Sequence, residues 1–511
     1  MIILFRNKII RKRILIFLIL LFIGFSLFAW SGDIWSINLE SNLDFNLSNK
    51  FADWRLYDIE FIEGFNNRKP ILELDFSLKK GFWFFITEGT VLSLRPSVLL
   101  DLDSFFSPMV KNSYLEYDNG FIYGSIGRRK QSMGVSDFNL FVNRDMPFYD
   151  GLNLSVGKKT GFRFDSLISV SNISKIYQSH STPSFKNEDD SPSTSIESRY
   201  TNQYSKYFMY HALSYVGKSW FLMIGESAIL ANPKSIGDLN IFANIHNENS
   251  ERANVGMEFQ FAKTINSNFM FYSMLGIDDL PVLASHNTPE NLTETPSAMA
   301  MGIGLKWQLK KGGLFSYPSH NFDKGIRNNL DFNIDKGGII VELDYVATSR
   351  WFYVRPDAHK SSENYFLGFQ SFYNYFYNPQ LSPNTNHDHY SVPFGPKYGG
   401  DTQLIRAKIS LEDYKYKFSG IFEIVLQGWE GRTRSENKNY WGNAPLSADE
   451  SDEYYSRNWL TSGDIKPLFI MNLNYERGIL PWLTIYSGVS LAVSTFSPTQ
   501  YNCNLGFTIK M

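Results

Sequence analysis

The residues of this sequence best suited to recognising a ligand are concentrated in one polar stretch, residues 429–459. Aromatic side chains can stack on the apolar faces of sugar rings, while guanidinium and carboxylate groups bond sugar hydroxyls. The stretch therefore predicts a carbohydrate-binding loop, and its candidate ligand-binding residues are Trp429, Arg432, Arg434, Tyr440, Trp441, Tyr454, Tyr455 and Trp459. The same aromatics could instead belong to an interfacial belt or pack the loop onto itself.

Two other groups of residues could do chemistry, and neither pattern is specific. Asp278 and Asp279 are adjacent, so on a strand they would face opposite ways and could not share one site. His387 and His389 would lie on one side of an extended segment, but no second pair of ligands is close in sequence. The sequence thus predicts no catalytic site, no metal and no cofactor.

The N-terminus has the pattern of a secretory signal peptide. Five basic residues within the first thirteen precede an apolar run over residues 14–28, which ends at the small residues Ala29 and Ser31. The run is about fifteen residues long, which is shorter than the roughly 20 residues that a membrane-spanning helix needs. We therefore expect residues 1–31 to be a signal peptide, cleaved after Ala29 or Ser31, and the mature domain to comprise residues 32–511.

Net charge and cysteine content exclude several other classes of protein. A net charge of -2 and a pI near 6.5 give no bulk attraction to nucleic acid. The single cysteine, Cys503, permits no internal disulfide. An exported chain without disulfides needs another source of stability, such as a closed hydrogen-bonded sheet.

Alternation of apolar and polar residues is the dominant pattern of the chain. In the last eleven residues, Tyr501, Cys503, Leu505 and Phe507 alternate with polar or small residues. This period of two is typical of a β-strand with one apolar face. Similar segments occur in residues 36–47, 71–80, 254–263, 298–309, 339–345 and 404–411.

About eighteen such segments lie between residue 35 and the C-terminus, and each has the length of a tilted membrane-spanning strand. A soluble all-β chain of this size would usually divide into domains joined by linkers. No linker is evident, and the Ser/Asn/Pro-rich stretch 180–195 has the composition of a loop. The sequence therefore predicts an all-β protein: a transmembrane antiparallel β-barrel of about 18 strands, with 16 as the alternative, and long extracellular loops.

The spacing of the C-terminal segments predicts an orientation. Short turns near residues 477–481 and 412–415 alternate with long connections at 428–466 and 373–401. Bacterial barrels have short periplasmic turns and long outer loops. This places loop 429–459 outside the cell, in the outer membrane of a diderm bacterium, with the lipid bilayer and the outer-membrane assembly machinery as expected partners.

Four stretches resemble, in order, the Wzi-type capsule assembly family of outer-membrane barrels. They are residues 126–156, with a Gly-Arg start and an aromatic–Asp turn, residues 210–230, with Gly225-Glu226-Ser227, residues 254–280, which close on two acids, and residues 392–405, with a Gly-Pro…Gly-x-Asp element. The resemblance implies an eighteen-stranded barrel that attaches exported polysaccharide to the cell surface without catalysis. The sequence leaves two functions open: a binder of surface or capsular polysaccharide, or a porin for small solutes.

Overall fold

The computed structural model describes the following residues: 34–48, 72–92, 109–129, 131–136, 139–142, 149–158, 160–171, 206–231, 239, 253–266, 268–279, 298–309, 338–349, 352, 372–374, 391–393, 398, 400–412, 416–428, 465–495 and 499–510. The strands of the main sheet are β1 (Ile34–Ser48), β2 (Leu72–Lys80), β3 (Trp83–Leu92), β4 (Met109–Asp118), β5 (Ile122–Arg129), β6 (Tyr149–Gly157), β7 (Gly161–Ser171), β8 (Lys206–Val216), β9 (Trp220–Ala231), β10 (Ala253–Asn266), β11 (Phe269–Asp279), β12 (Ala298–Gln308), β13 (Gly338–Thr348), β16 (Thr402–Glu412), β17 (Tyr416–Gln427), β18 (Lys466–Leu480), β19 (Leu483–Ser494) and β20 (Gln500–Lys510). A separate hairpin is formed by β14 (Phe372–Asn374) and β15 (Ser391–Pro393).

The eighteen long strands form one closed antiparallel sheet. Each strand pairs with its neighbour along the chain, with β13 pairing directly with β16. The ring closes where β20 pairs with β1, from Glu40 opposite Lys510 to Ser48 opposite Asn502. Closure leaves no free sheet edge, which is what a β-structure needs in order to cross a bilayer. The prediction of an eighteen-stranded barrel is confirmed.

Successive residues of each strand face alternately toward the lumen and toward the outside of the barrel, as the alternation in the sequence predicts. On β20, Leu505 is 55% exposed, whereas its neighbours Asn504 and Gly506 are buried. The exposed outward side chains of the described strands are mainly large and apolar, among them Leu213, Ile224, Met257, Phe271, Ile303, Leu343, Ile405, Ile424, Phe469 and Val489. An apolar outer surface of this extent would be unstable in water but matches a lipid environment.

Aromatic side chains gather at one end of the barrel, around its short turns. Trp83 contacts Tyr117 with ring centroids 5.0 Å apart, and Tyr215 stacks on Trp220 at 4.7 Å. Further exposed aromatics at this end are Phe82, Phe121, Phe162, Tyr416 and Trp482. Aromatic girdles of this kind lie at the membrane–water interface, so they mark one boundary of the membrane-spanning band.

Connection lengths divide sharply between the two ends of the barrel. At the girdle end the connections have two or three residues, except for residues 309–337 between β12 and β13. At the opposite end they are longer, up to residues 349–401 between β13 and β16, and only residues 495–499 are short. The predicted short turn at 412–415 and the long connection predicted at 428–466 are confirmed. The turn predicted near 477–481 is present at residues 481–482, because β18 continues to Leu480. The long loop predicted at 373–401 begins earlier, after β13 ends at Thr348.

The tight turn between β4 and β5 shows how local sequence sets these short connections. Gly120 has φ of +88°, a region that residues with a Cβ rarely adopt. The side chain of Asn119 accepts hydrogen bonds from the backbone N–H groups of Phe121 (3.0 Å) and Ile122 (2.7 Å). An Asn-Gly pair therefore reverses the chain within three residues.

The predicted signal peptide and its boundary at residue 31 lie outside the described residues and stay a prediction. Within the part of the chain that the structure describes, no helix is long and apolar enough to cross a membrane.

Cys503 supplies a direct test of the outward register. It is partly exposed and lies in the outward series with Leu505 and Phe507. We expect a membrane-impermeant thiol reagent to leave Cys503 unlabelled in intact outer membrane and to label it after denaturation. A lipid-soluble maleimide is the control and should label the folded protein. Rapid labelling of the folded protein by the impermeant reagent would place Cys503 in water and contradict the register.

Candidate functional site: the lumen and its inserted segment

The inward faces of the strands combine charged side chains with an apolar cluster. Inward charged residues that the structure describes include Glu116, Arg129, Arg163, Asp165, Glu258, Asp278, Lys306, Glu342, Asp344, Arg406, Lys408 and Glu423. Opposite charges lie close together: Lys306 Nζ is 3.6 Å from a carboxylate oxygen of Glu342 on the neighbouring strand. Charges would be costly against lipid, so their inward position is consistent with a lumen that water or polar chain segments can reach.

One charged cluster surrounds Arg129 at the end of β5. Its guanidinium lies 3.3 Å from a carboxylate oxygen of Glu116, which also accepts a hydrogen bond from the Tyr123 hydroxyl at 3.0 Å. The guanidinium carbon lies 4.8 Å from the ring centre of Tyr114 and 5.2 Å from that of Tyr123. Ionic, hydrogen-bond and cation–π contacts together fix a buried cation at this wall.

A second cluster surrounds Arg406 on β16, which is 2% exposed. Its guanidinium lies between Asp344 on β13, at 4.0 Å, and Glu423 on β17, at 3.8 Å. The hydroxyl of Tyr398, from the long connection before β16, donates a 2.5 Å hydrogen bond to Glu423. This connection therefore reaches into the lumen and is held at the wall by a charge-assisted bond.

A segment of the β5–β6 connection also lies inside the barrel. All of its described residues are buried, and they fall in residues 131–136 and 139–142; we call these two stretches the luminal segment. Its two ends come together where the Met133 N–H donates to the Val142 carbonyl at 3.0 Å. Asn139 stabilises the turn between them by bonding the Ser132 hydroxyl and the Ser136 carbonyl. The described part of this connection therefore lies inside the barrel as a compact loop.

Glu258 on β10 is the main polar attachment of the luminal segment. One carboxylate oxygen accepts hydrogen bonds from the Leu140 N–H (3.1 Å) and from the Gln260 side chain (2.7 Å). The other oxygen accepts from the Tyr210 hydroxyl at 2.9 Å. Gln260 in turn accepts from the Val135 N–H at 2.9 Å. The segment is thus attached at two backbone positions to adjacent inward residues of one strand.

Glycines in the wall provide the space for the apolar side chains of the segment. A Cβ at Gly256 would lie 2.6 Å from the Phe141 ring, and a Cβ at Gly276 would lie 2.8 Å from Leu140 and from Phe352. Phe352, from the connection after β13, also contacts Phe141 with ring centroids 5.7 Å apart. Glycine lets these side chains approach the wall closely, so two inserted connections and the wall form one apolar cluster.

Asp401 marks the point where the second inserted connection rejoins the wall. It is fully buried and has φ of +57°, an uncommon conformation for a residue with a side chain. Its N–H donates to the Ser349 carbonyl at 2.9 Å, and its carbonyl accepts from the Gly428 N–H at 2.9 Å. These bonds hold the backbone in a conformation that would otherwise cost about 1 kcal/mol or more.

The site predicted from the sequence is not the one that the structure describes. All eight candidate residues, Trp429, Arg432, Arg434, Tyr440, Trp441, Tyr454, Tyr455 and Trp459, lie outside the described residues, as do His387 and His389. Asp278 lies at the end of β11 and is buried. Among the described residues, no group of three or more His, Cys, Asp or Glu could hold a metal ion. The luminal segment and its attachment to Glu258 were not predicted.

A closed eighteen-stranded barrel with an apolar outer band and an aromatic girdle defines the chain as an outer-membrane-type β-barrel. No family model matches the sequence, and no curated protein matches it. Similar solved structures include the outer membrane protein opdK from Pseudomonas aeruginosa (10% identity, TM-score 0.40, 94% of this chain and 99% of that chain). Others are a BenF-like porin from Pseudomonas fluorescens Pf-5 (9%, 0.40, 93% and 98%) and OccK3 (OpdO) from Pseudomonas aeruginosa (8%, 0.40, 94% and 96%).

The predicted relationship to the Wzi-type capsule assembly family is therefore wrong. The similar solved structures named above are an outer membrane protein and porins, and none of them is a capsule assembly protein. The motifs behind that prediction are short and consist mainly of glycine, aromatic and acidic residues at strand ends. Strand ends of many barrels need these residue types, so they reflect the architecture and not this family.

Proposed function

We propose that this protein is a passive channel for small hydrophilic solutes across the outer membrane, narrowed by its luminal segment. The observation that carries the proposal is the closed barrel with ion pairs along its inner wall and part of its own chain inserted into the lumen. Such a lumen offers fixed charges and hydrogen-bonding groups to a passing solute, and its inserted segment limits the size of that solute. The proposal assigns no catalytic residue.

Reconstitution tests the proposal. Purified protein in planar bilayers should give discrete conductance steps, and liposomes that contain it should swell in L-arabinose faster than in a long oligosaccharide. Empty liposomes and liposomes with heat-denatured protein are the controls. A folded barrel that conducts no ions and passes no small sugar, both as wild type and with the luminal segment released from Glu258, would overturn the channel assignment.

Polysaccharide binding by residues 429–459 stays a prediction. Its support is the aromatic and arginine content of that loop. The family resemblance that linked this loop to exported polysaccharide is wrong. The inner wall of the barrel therefore supports the channel more strongly than the composition of the loop supports polysaccharide binding. Attachment to the outer-membrane assembly machinery likewise stays a prediction.

A further inference from the structure

One area of the outer wall differs from the rest of the lipid-facing surface. It spans β7 to β10 and consists of the outward residues Ser166, Ile168, Met209, His211, Glu226, Ala228, Leu230 and Val255; we call it the outer-wall patch. Nearer the girdle, the outward residues Leu213 and Ile224 are each 53% exposed. In the patch, by contrast, Ser166 is 2% exposed and His211 is 7% exposed, although both face away from the lumen.

The outward direction of the polar residues follows from their neighbours. Gly225 faces the lumen, since a Cβ there would lie 2.3 Å from the Tyr210 hydroxyl, which bonds to inward Glu258. Glu226, the next residue, must therefore face outward. His211 stacks on Phe164, two residues from the exposed outward Phe162. His211 and Glu226 are register partners on adjacent strands, so their side chains are neighbours on the outer wall.

The depth of this pair in the membrane makes contact with lipid costly. His211 lies four residues along β8 from Tyr215, which belongs to the aromatic girdle. A tilted strand rises about 5 Å for every two residues, so the pair lies about 10 Å above the girdle, near the middle of an apolar band about 25 Å tall. Ionisable side chains at this depth face a bundle interior, a cavity or another protein surface, and not lipid.

A segment of the same chain already contacts the patch. Leu239, in the β9–β10 connection, packs against the cluster of Met209, Ala228 and Leu230. It follows the last residue of β9, Ala231, by eight residues. Eight extended residues span up to about 26 Å, which is enough to turn at the rim and descend to this cluster. The three cluster residues are buried to 1% exposure or less.

We propose that the outer-wall patch is a docking site for the protein's own β9–β10 connection, which enters through Leu239 and replaces lipid over β7–β10. The occupant is this connection because Leu239 is the residue seen on the patch. Replacing lipid by protein over the patch lets His211 and Glu226 lie at mid-membrane depth outside the barrel. The inference goes beyond the channel, since it concerns a surface that solutes do not pass.

Disulfide trapping tests the contact. In a Cys503→Ser background, Leu239→Cys is combined in turn with Met209→Cys, Ala228→Cys or Leu230→Cys, and the protein is oxidised in native outer membranes. We expect at least one pair to form an intrachain disulfide, read as a shift in gel mobility that a reductant reverses. Leu239→Cys with Ile224→Cys is the matched control, because Ile224 lies on the same face of β9 nearer the girdle, and this pair should not cross-link.

Thiol labelling tests whether protein or lipid covers the patch. Ala228→Cys and Ala407→Cys, each in the Cys503→Ser background, replace outward alanines in β9 and β16. A lipid-soluble maleimide should label Cys at 407 at least tenfold faster than Cys at 228. Equal rates together with no intrachain disulfide would show that the patch faces lipid. Disulfides only between two chains would show that a second copy occupies it. Either result would overturn the proposal, whatever the conductance.

Discussion

Replacing Glu258 with leucine is expected to release the luminal segment and to raise the mean conductance of the reconstituted barrel several-fold. The variant removes three acceptor contacts: with the Leu140 N–H, the Gln260 side chain and the Tyr210 hydroxyl. Hydrogen bonds to a charged group contribute about 1.5–3 kcal/mol each. Only the bond from the Leu140 N–H joins Glu258 to the luminal segment, so its loss would shift the docking equilibrium of the segment by about 1.5 kcal/mol, which is roughly tenfold.

A matched variant separates this attachment from a simple change of lumen charge. Glu342 also faces the lumen, and its carboxylate lies 3.6 Å from Lys306 on the wall. Glu342→Leu therefore also replaces an inward carboxyl group by leucine, without removing a contact with the luminal segment. Single-channel recordings of both variants should show a rise only for Glu258→Leu. An equal rise in conductance for both variants would mean that the charge of the lumen, and not release of the segment, controls the flow of ions.

The barrel wall could be predicted because the alternation of apolar and polar residues lies within the sequence of each strand. On β20, for example, alternate residues divide into an apolar and a polar series, and the structure turns Leu505 outward and Asn504 inward. Alternation over about ten residues identifies a strand, and the absence of linkers indicates one closed sheet. The turn around 412–415 followed from the same pattern.

The inserted connections could not be predicted from local patterns. The sequence of residues 131–142 has no regular period, and the buried positions of residues 131–136 and 139–142 depend on Glu258 and Gln260, more than a hundred residues away in sequence. A partial signal was present: Glu258 and Gln260 are inward polar residues, and Gly256 and Gly276 leave space on the inner wall. Glycines on the polar face of a strand indicate close approach of another chain segment, but they do not identify that segment.

The incorrect prediction of the family and the failure to predict the outer-wall patch have the same physical cause. Gly225-Glu226-Ser227 supported the family resemblance as a short motif, but the structure shows three residues with alternating directions on β9. Glu226 interrupts the series of apolar outward residues on β9. In the sequence alone, one such interruption among eighteen strands does not indicate a special surface. Its meaning depends on His211 opposite and on Leu239 nearby. Neither relation is visible without the register.

A charge on the outer face of the last strand is expected to prevent assembly of the barrel. Leu505 lies at the middle of β20, is 55% exposed and faces outward between β1 and β19. Arginine at the midplane of the lipid face costs about 2–4 kcal/mol, in addition to the lost burial of leucine in lipid. Net stabilities of folded proteins are often only about 5–15 kcal/mol, so Leu505→Arg should reduce the folded barrel in outer membranes by tenfold or more.

The neighbouring residue gives the control for this prediction. Asn504 is buried on the inner face of the same strand, so Asn504→Asp adds a charge of similar size to the lumen and not to the lipid face. Heat-modifiable migration on gels measures the folded fraction of each variant. Folding should be nearly normal for Asn504→Asp and severely reduced for Leu505→Arg, because only the second charge must leave water for hydrocarbon. Normal assembly of Leu505→Arg with failure of Asn504→Asp would mean that β20 turns its other face to the membrane, and the register that defines both the lumen and the outer wall would be wrong.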